Sequence, residues 1–473
     1  MWMRLCILVS VIYLARAALL RVPVSCHPYK NTYPYTGTKT AYSYIHNNTV
    51  ENMTLTNCKP MQIWMLGRHG TRNPDETKMR RIMTFARKMR RNFPEIAKKI
   101  YGACIPPYAK VSKNWETCSE FVKGKGKFLV TEGEREWVSL GERVKAKLPT
   151  LFDTEVKNFK FKSTAKQRTI LSMMSFMKGA LGINFTIVSD DPLIKYDSLD
   201  IEEHIVMMNS FEENGSETSL DFKIVPTAND TLLNLYDTCV PWNNKYNGET
   251  TKFTDGPEMT KVLNDISRRL NITDKSVREA AFLLYDVCRF ERAVCPNKPS
   301  PWCDAFTEDA MLVFEYLYDL AYYYDAGPGE EINSELGCHP VRDMFEHFTK
   351  LETNGDEPRG VFYFSHSHTV SLFLTAMGIG KDSVPLTAAN FRDMGHRSWR
   401  ISRLVPFASN FAAVFHRCDS SDTPFKVSFY LNESPVTIEG CEDGVCDWAQ
   451  LKKKLGAIAA NCSAEICKKE VPN

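Results

Sequence analysis

The segment Arg68-His69-Gly70-Thr71-Arg72-Asn73-Pro74 sets an imidazole between two guanidinium groups. It follows the apolar run Met61-Gln62-Ile63-Trp64-Met65-Leu66-Gly67, which reads as a short buried strand. A histidine held among fixed cations is suited to attack phosphorus. Arginine binds phosphoryl oxygens bidentately and stays charged at any relevant pH. The expected chemistry is hydrolysis of a phosphomonoester through a phosphohistidine.

Two further strand-to-helix junctions carry residues of the same kind. Asn158–Ser163 alternates as a strand should and leads into Thr164-Ala165-Lys166-Gln167-Arg168, with a helix expected from about Thr169 to Gly179. Gly360–Ser365 is short, apolar and β-prone, and it ends at His366-Ser367-His368 before a helix over Thr369–Met377. In open α/β sheets, ligands sit outside the carboxyl ends of the strands. If these strands are neighbours, Arg68, His69, Arg72, Arg168 and His366 converge there, and helix N-termini add N–H donors for an anion. Taken singly, Arg168 reads as a surface arginine and His366 as a core histidine. Their shared place, just after a strand, is what sets them apart.

The elements that must hold these residues form an α/β body. Strands alternating with helices imply a mostly parallel sheet covered by helices on both faces. The body spans 61–200 and 341–445, after an irregular N-terminal arm over 18–60. A helix over 75–100 has Met79, Ile82, Met83, Ala86, Met89, Phe93 and Ile96 on one face and a basic, solvated face opposite. Another helix is expected over Gly133–Leu151, and later strands over Phe411–His416 and Lys426–Leu431. Residues 201–340, with helical stretches at Met259–Leu270, Val277–Ala293 and Thr307–Tyr324, read as an inserted helical lobe over the cleft. Residues 446–473 form a disulfide-tied tail.

At 473 residues the chain can bury a sizeable core, and its net charge is +2, from 59 basic and 57 acidic residues. That balance gives no global field for nucleic acid, so an anion site must be local. Residues 1–17 read as a signal peptide: Arg4, a short apolar stretch to Leu14, then Ala15-Arg16-Ala17. No later run is long enough to span a bilayer, and the C-terminus is not an ER-retention signal. The expected location is the secretory pathway, outside the cell or in an organelle lumen. Of the 15 cysteines, the 14 after Cys6 are an even set, read as disulfides; zinc at Cys441 and Cys446 or at Cys462 and Cys467 is the alternative. Eight sequons (Asn47, Asn52, Asn184, Asn214, Asn229, Asn271, Asn432 and Asn461) point to N-glycans.

Arg-His-Gly-x-Arg-x-Pro, a lone Arg after a second strand and a His-containing tripeptide after a late strand together resemble the histidine acid phosphatases, branch 2 of the histidine phosphatase superfamily. The segments Pro385–Asn390 and Leu404–Asn410 are similar to those of the multiple inositol polyphosphate phosphatases. The resemblance covers essentially all of the mature chain. It implies a phosphoglycerate-mutase-like body, with His69 as nucleophile and phosphohistidine carrier. Arg68, Arg72 and Arg168 would clamp the phosphoryl group, with His366 as a further donor. It implies small polyanionic phosphate esters as substrates: phytate-like inositol polyphosphates, and 2,3-bisphosphoglycerate through the family. No cofactor is required, because three arginines stabilise the charge in flight and keep His69 neutral.

One position departs from the family. The multiple inositol polyphosphate phosphatases typically carry His-Ala-Glu here, with the Glu as proton donor, whereas this chain has His366-Ser367-His368. An imidazolium at His368 can be a general acid near its own pKa. Neighbouring arginines oppose its protonation and a bound phosphate dianion favours it. The outcomes are an active enzyme with an altered pH profile, a slow enzyme, or an inositol phosphate binder. A general acid phosphatase is a further reading. A zinc site at His69, His366 and His368 is disfavoured by the arginines.

Overall fold

β1 (Cys58–Arg68) is the middle of the architecture, because apolar side chains leave it on both sides. Trp64 and Leu66 pack into one core, while Ile63 and Met65 pack into another. This alternation is the pleat of a strand covered on two faces. The computed structural model describes residues 30–46, 53–102, 104–105, 121–184, 186–187, 205–206, 221–245, 247–270, 272, 276–296, 298–419, 423–441 and 443–468. The expected signal peptide lies outside these residues, as do Cys26 and Cys118 and the sequons at Asn47, Asn52, Asn214 and Asn271.

Chain order continues with α1 (Glu76–Tyr101), α2 (Thr131–Lys147), β2 (Phe159–Thr164), α3 (Gln167–Leu181) and β3 (Asp221–Val225). Next come α4 (Pro257–Leu270), α5 (Val277–Val294), α6 (Glu308–Asp325) and α7 (Glu331–Glu352). The body closes with β4 (Gly360–Ser365), α8 (Ser367–Ala376), β5 (Asn410–Cys418), β6 (Phe425–Leu431), β7 (Val445–Asp447) and α9 (Trp448–Ala460). The sheet order is β7-β6-β5-β1-β4-β2-β3, with a two-residue strand, Ser434–Pro435, beside β6.

The sheet has two halves. β1, β4, β2 and β3 are parallel, as a strand-helix alternation requires. On the other side of β1, β5, β6 and β7 follow in order, each antiparallel to the strand before it. The expected parallel sheet is therefore the half that carries the site. The other half is built of short returns that need no crossover helix. Helices cover both faces. α2 and α3 bury Trp137, Leu140, Val144, Phe176 and Met177 against Ile63, Met65, Phe362 and Phe364. On the other face α1, α5, α6, α7 and α8 pack around Trp64, Leu66, Val361 and Tyr363.

Two features cut across the expected division at 200/201 and 340/341. β3 lies in the span assigned to the helical lobe, yet it pairs with β2 as an edge of the main sheet. α7 runs through residue 340 without a break, and Pro340 sits inside it. Five disulfides join described residues: Cys58–Cys418, Cys239–Cys467, Cys288–Cys303, Cys338–Cys462 and Cys441–Cys446. Cys104 and Cys295 are disulfide-bonded as well. The zinc alternative at Cys441, Cys446, Cys462 and Cys467 is thereby replaced by covalent pairs. One expected glycan site also fails. Asn432 is buried, its Oδ1 accepts from the Asn410 N–H and its Nδ2 donates to the Arg403 carbonyl. No helix among the described residues is long and apolar enough to cross a membrane.

Candidate active site

Strand register brings the three junctions level. Arg68 pairs with Ser365, Gly67 with Phe364, and Ser163 with the same Phe364. The chain leaves β1, β4 and β2 at one edge of the sheet, where His69, His366 and the turn before α3 meet. The His69 N–H donates to the Ser365 carbonyl at 2.9 Å, and the His69 carbonyl accepts from Ala408 N–H at 3.1 Å. Antiparallel β5 begins at this edge, so Phe407 and Ala408 close the side opposite β4.

Glycines let the loop after β1 lie this deep. A Cβ on Gly67 would strike the Trp137 ring, and one on Gly70 would come within 2.5 Å of the Gly133 carbonyl oxygen. The loop is pinned from three sides. Gly70 N–H donates to Ser172 Oγ at 3.0 Å. Thr71 N–H and its hydroxyl both donate to the buried Glu136 carboxyl, at 2.7 and 2.8 Å. Val130 N–H donates to the Thr71 carbonyl, and Asn73 N–H to the Phe128 carbonyl. Asp75 then caps α1 through the Lys78 N–H at 2.8 Å.

His69 is 3 % exposed. Its Nδ1 lies 2.9 Å from the Gly70 carbonyl oxygen. A carbonyl only accepts, so Nδ1 carries the proton and Nε2 keeps its lone pair. Burial, then Arg168, Arg68, Arg72 and His366 in that order, hold the ring's pKa well below the ordinary histidine value. The imidazole is therefore neutral in mild acid, with its nucleophilic nitrogen available.

The three arginines surround this ring. Arg68 Nη1 donates to the carbonyls of Thr38 and Val405 at 2.7 and 2.9 Å, and its guanidinium lies 4.5 Å from the Phe407 ring centroid. Arg72 Nη1 donates to the Asn73 carbonyl at 2.6 Å. Burial pushes Arg68 down to about 10 and, with Arg168 and Arg68 adding repulsion, Arg72 down to about 9. No carboxylate among the described residues lies within ion-pair distance of either. A cluster of buried cations held this way is strained until an anion joins it.

His366 sits 5.7 Å from His69, centroid to centroid. Its Nδ1 accepts from Arg168 Nη2 at 3.4 Å, while its Nε2 lies 3.2 Å from Thr164 Oγ1. Both ring nitrogens thus work within the protein, and His366 orients Arg168. His368 occupies the second position of α8 and turns to a different wall. Its Nε2 is 2.8 Å from Asp325 Oδ2, and its ring stacks on Tyr322 at 5.3 Å and 15°.

Sequence reasoning missed several contributors. Lys39, in the N-terminal arm, lies 5.9 Å from the Phe407 ring that also carries Arg68 and faces His69. Burial, then Arg72 and Arg68, lower its pKa well below the ordinary lysine value, and no carboxylate among the described residues neutralises it. Glu136, Ser172, Tyr322 and Asp325 were also unforeseen. Nothing local marks them, because each acts across at least forty residues of chain.

A family model described as histidine phosphatase superfamily (branch 2) matches residues 61–432. The chain is 29% identical to multiple inositol polyphosphate phosphatase 1 of Drosophila melanogaster, over 91% of this chain and 86% of that one. Its identity to the Homo sapiens protein of the same name is 27%, over 96% and 92%. Among solved structures, the phytase from D. castellii superposes with a TM-score of 0.66 at 16% identity, covering 92% of this chain and 86% of that one. The Bifidobacterium longum multiple inositol polyphosphate phosphatase bound to inositol hexasulfate gives 0.62 at 15%, covering 90% and 98%. These two structures share the fold.

Proposed function

The chain belongs to the histidine phosphatase superfamily (branch 2), and from that premise we propose that it hydrolyses inositol polyphosphates in the secretory pathway through a phosphohistidine on His69. It is a phosphatase of the histidine acid phosphatase type. The observation that carries the finer reading is the tautomer of His69: Nδ1–H on the Gly70 carbonyl leaves Nε2 unprotonated amid three guanidinium groups.

Nε2 attacks the phosphorus, and the ester oxygen departs with a proton from His368. Arg68, Arg72 and Arg168 bind the equatorial oxygens, with His366 holding Arg168. Water then attacks the phosphohistidine, phosphate leaves, and neutral His69 returns. The positive field supplies the transition-state stabilisation. Polyphosphates are favoured because Lys39 adds a further basic side chain beside Arg68 on the Phe407 ring, and because the similar curated proteins bear that substrate in their names. 2,3-Bisphosphoglycerate has the same charge density. The disulfides support an oxidising lumen. N-glycans belong on exposed Asn184, Asn229 and Asn461.

A binder without turnover is the second reading, and the histidine in the Glu position favours it. Phosphate release from inositol hexakisphosphate by wild type, His69→Ala and His368→Ala, from about pH 4 to about pH 8, separates the two. Turnover with a trapped phosphate on His69 supports the enzyme. A wild type no faster than His69→Ala at every pH leaves only binding.

A further inference from the structure

The family's carboxylic acid is missing from the tripeptide after β4, but a carboxylate stands beside it. Asp325 is the last residue of α6, forty-three positions before His368 in the chain. Its Oδ2 lies 2.8 Å from His368 Nε2, and the two side chains are 42% and 29% exposed. Three aromatic rings enclose the same imidazole. Tyr322 stacks on it, Tyr236 lies 5.4 Å away, and Trp242 meets it edge-on at 5.7 Å. The Tyr322 hydroxyl is 3.0 Å from Ser367 Oγ, which fixes that ring against the start of α8.

We propose that Asp325 is the positioning residue that replaces the missing acid: it holds His368 as an imidazolium, Nε2–H on the carboxylate, so that Nδ1–H can be given to the leaving group. This rests on the phosphatase reading above and deepens it.

The groups around His368 compete. Arg168, which donates to the neutral ring of nearby His366, repels a second positive charge. The N-terminus of α8, on which His368 sits, acts in the same sense. Lys245 approaches from behind, 4.5 Å from the Trp242 ring, but its ammonium is spent on the Asp325 carbonyl and on Asn333 Oδ1 at 2.7 Å. Glu330 also faces Lys245, and Asp237 faces Tyr236. Against the repulsion stand the Asp325 carboxylate, the negative end of α6 and the faces of the aromatic rings. His368 and Lys245 hold the Asp325 carboxyl below the ordinary aspartate value, so it remains an anion in mild acid. The Asp325 carboxylate is the charged group in direct contact with the imidazole, at 2.8 Å.

The proton count closes. As the bond from His69 Nε2 to phosphorus forms, the ester O–P bond breaks. The departing oxygen takes the Nδ1 proton of His368 and leaves as an alcohol. His368 is then neutral, with Nε2–H still on Asp325. Water gives its proton back to Nδ1 and its oxygen to phosphorus, the N–P bond breaks, and inorganic phosphate departs.

The test is Asp325→Asn in the full chain, with two substrates. Inositol hexakisphosphate has an alkoxide leaving group that needs a proton; p-nitrophenyl phosphate has one that does not. The expected result is a fall in kcat for the inositol ester of roughly 10- to 100-fold, up to the low end of general-acid effects, because the acid itself remains in place. The aryl ester loses far less, and the alkaline limb for the inositol ester moves to lower pH. A parallel NMR spectrum reads the contact directly: the His368 Nε2–H resonance moves in Asp325→Asn. Equal losses on both substrates, an unmoved alkaline limb, or an unchanged His368 Nε2–H resonance overturns the proposal. If wild type itself turns over neither substrate, the phosphatase reading fails, and the resonance still decides whether Asp325 holds the ring.

Discussion

Glu136 accepts both the backbone N–H and the hydroxyl of Thr71, at 2.7 and 2.8 Å, inside the body of the protein. The loop after β1 is thus tied to α2 by a carboxyl that burial pushes up to about 7.

Replacing Glu136 with alanine leaves the Thr71 N–H buried and unpaired. The expected cost is about 2–4 kcal/mol of stability, from the two lost bonds to Thr71 and the longer one from Tyr42 N–H at 3.4 Å, read from urea unfolding. Glu136→Gln is milder, because its amide can donate to the Thr71 hydroxyl and its oxygen can accept the N–H.

The same pair carries a pH signature. Between the ordinary glutamate pKa and about 7, the folded chain holds a proton on Glu136 that the unfolded chain has lost. This contribution is complete below the unfolded value and disappears as pH rises through about 7. Urea midpoints should therefore fall with rising pH in wild type relative to Glu136→Gln. A constant difference between the two across that window would refute the assignment.

Lys39→Met should raise KM for inositol hexakisphosphate about tenfold, the loss of one charge-assisted contact. It should change KM for a small monophosphate ester little, and Lys39→Arg should restore binding. Equal effects on both substrates would instead mean that Lys39 acts only through Thr38, whose hydroxyl it contacts at 2.9 Å and whose carbonyl holds Arg68.

At Gly133 a methyl group would collide with the Thr71 carbonyl oxygen, a backbone atom that cannot step aside. Gly133→Ala should displace the loop and cut kcat on the order of a hundredfold, the effect of misplacing a reacting group by about an ångström. Binding of inositol hexakisphosphate should weaken with it, because Arg72 rides on the same loop. Unaltered kinetics would show that the loop tolerates the shift.

Peptide mapping of the secreted protein should find glycans at Asn184, Asn229 and Asn461 and none at Asn432. Occupancy of Asn432 would contradict its burial and its bonds to Asn410 and Arg403.

The edge that carries the site was legible because β1 and β4 are apolar runs and β2 alternates, and each is followed within four residues by an arginine or a histidine. Gly360–Ser365 forms as expected to the residue, since an uninterrupted β-prone run has no helical alternative. β3 was not legible: Asp-Phe-Lys-Ile-Val is an edge strand whose partner, β2, lies some sixty residues earlier. Lys39 sits in a Thr- and Gly-rich stretch without periodicity, so nothing in the chain announced that it reaches Phe407. Asp325 ends a helix whose pattern says only that one face is buried. Its role depends on α6 meeting α8, a tertiary fact that spacing does not encode.

The position of β1 also sets the order in which the molecule is made. Its two neighbours are β4 and β5, so the strand synthesised first waits for residues 360–365 and 410–418 before it can pair. Cys58 is bonded to Cys418, 360 residues later, and Cys239, beside the Tyr236–Trp242 wall, is bonded to Cys467. Until those residues are made, the growing chain carries an apolar strand with no partner and leaves His69 without its enclosure. Such exposed surface is what chaperones cover in a large, slowly assembled chain.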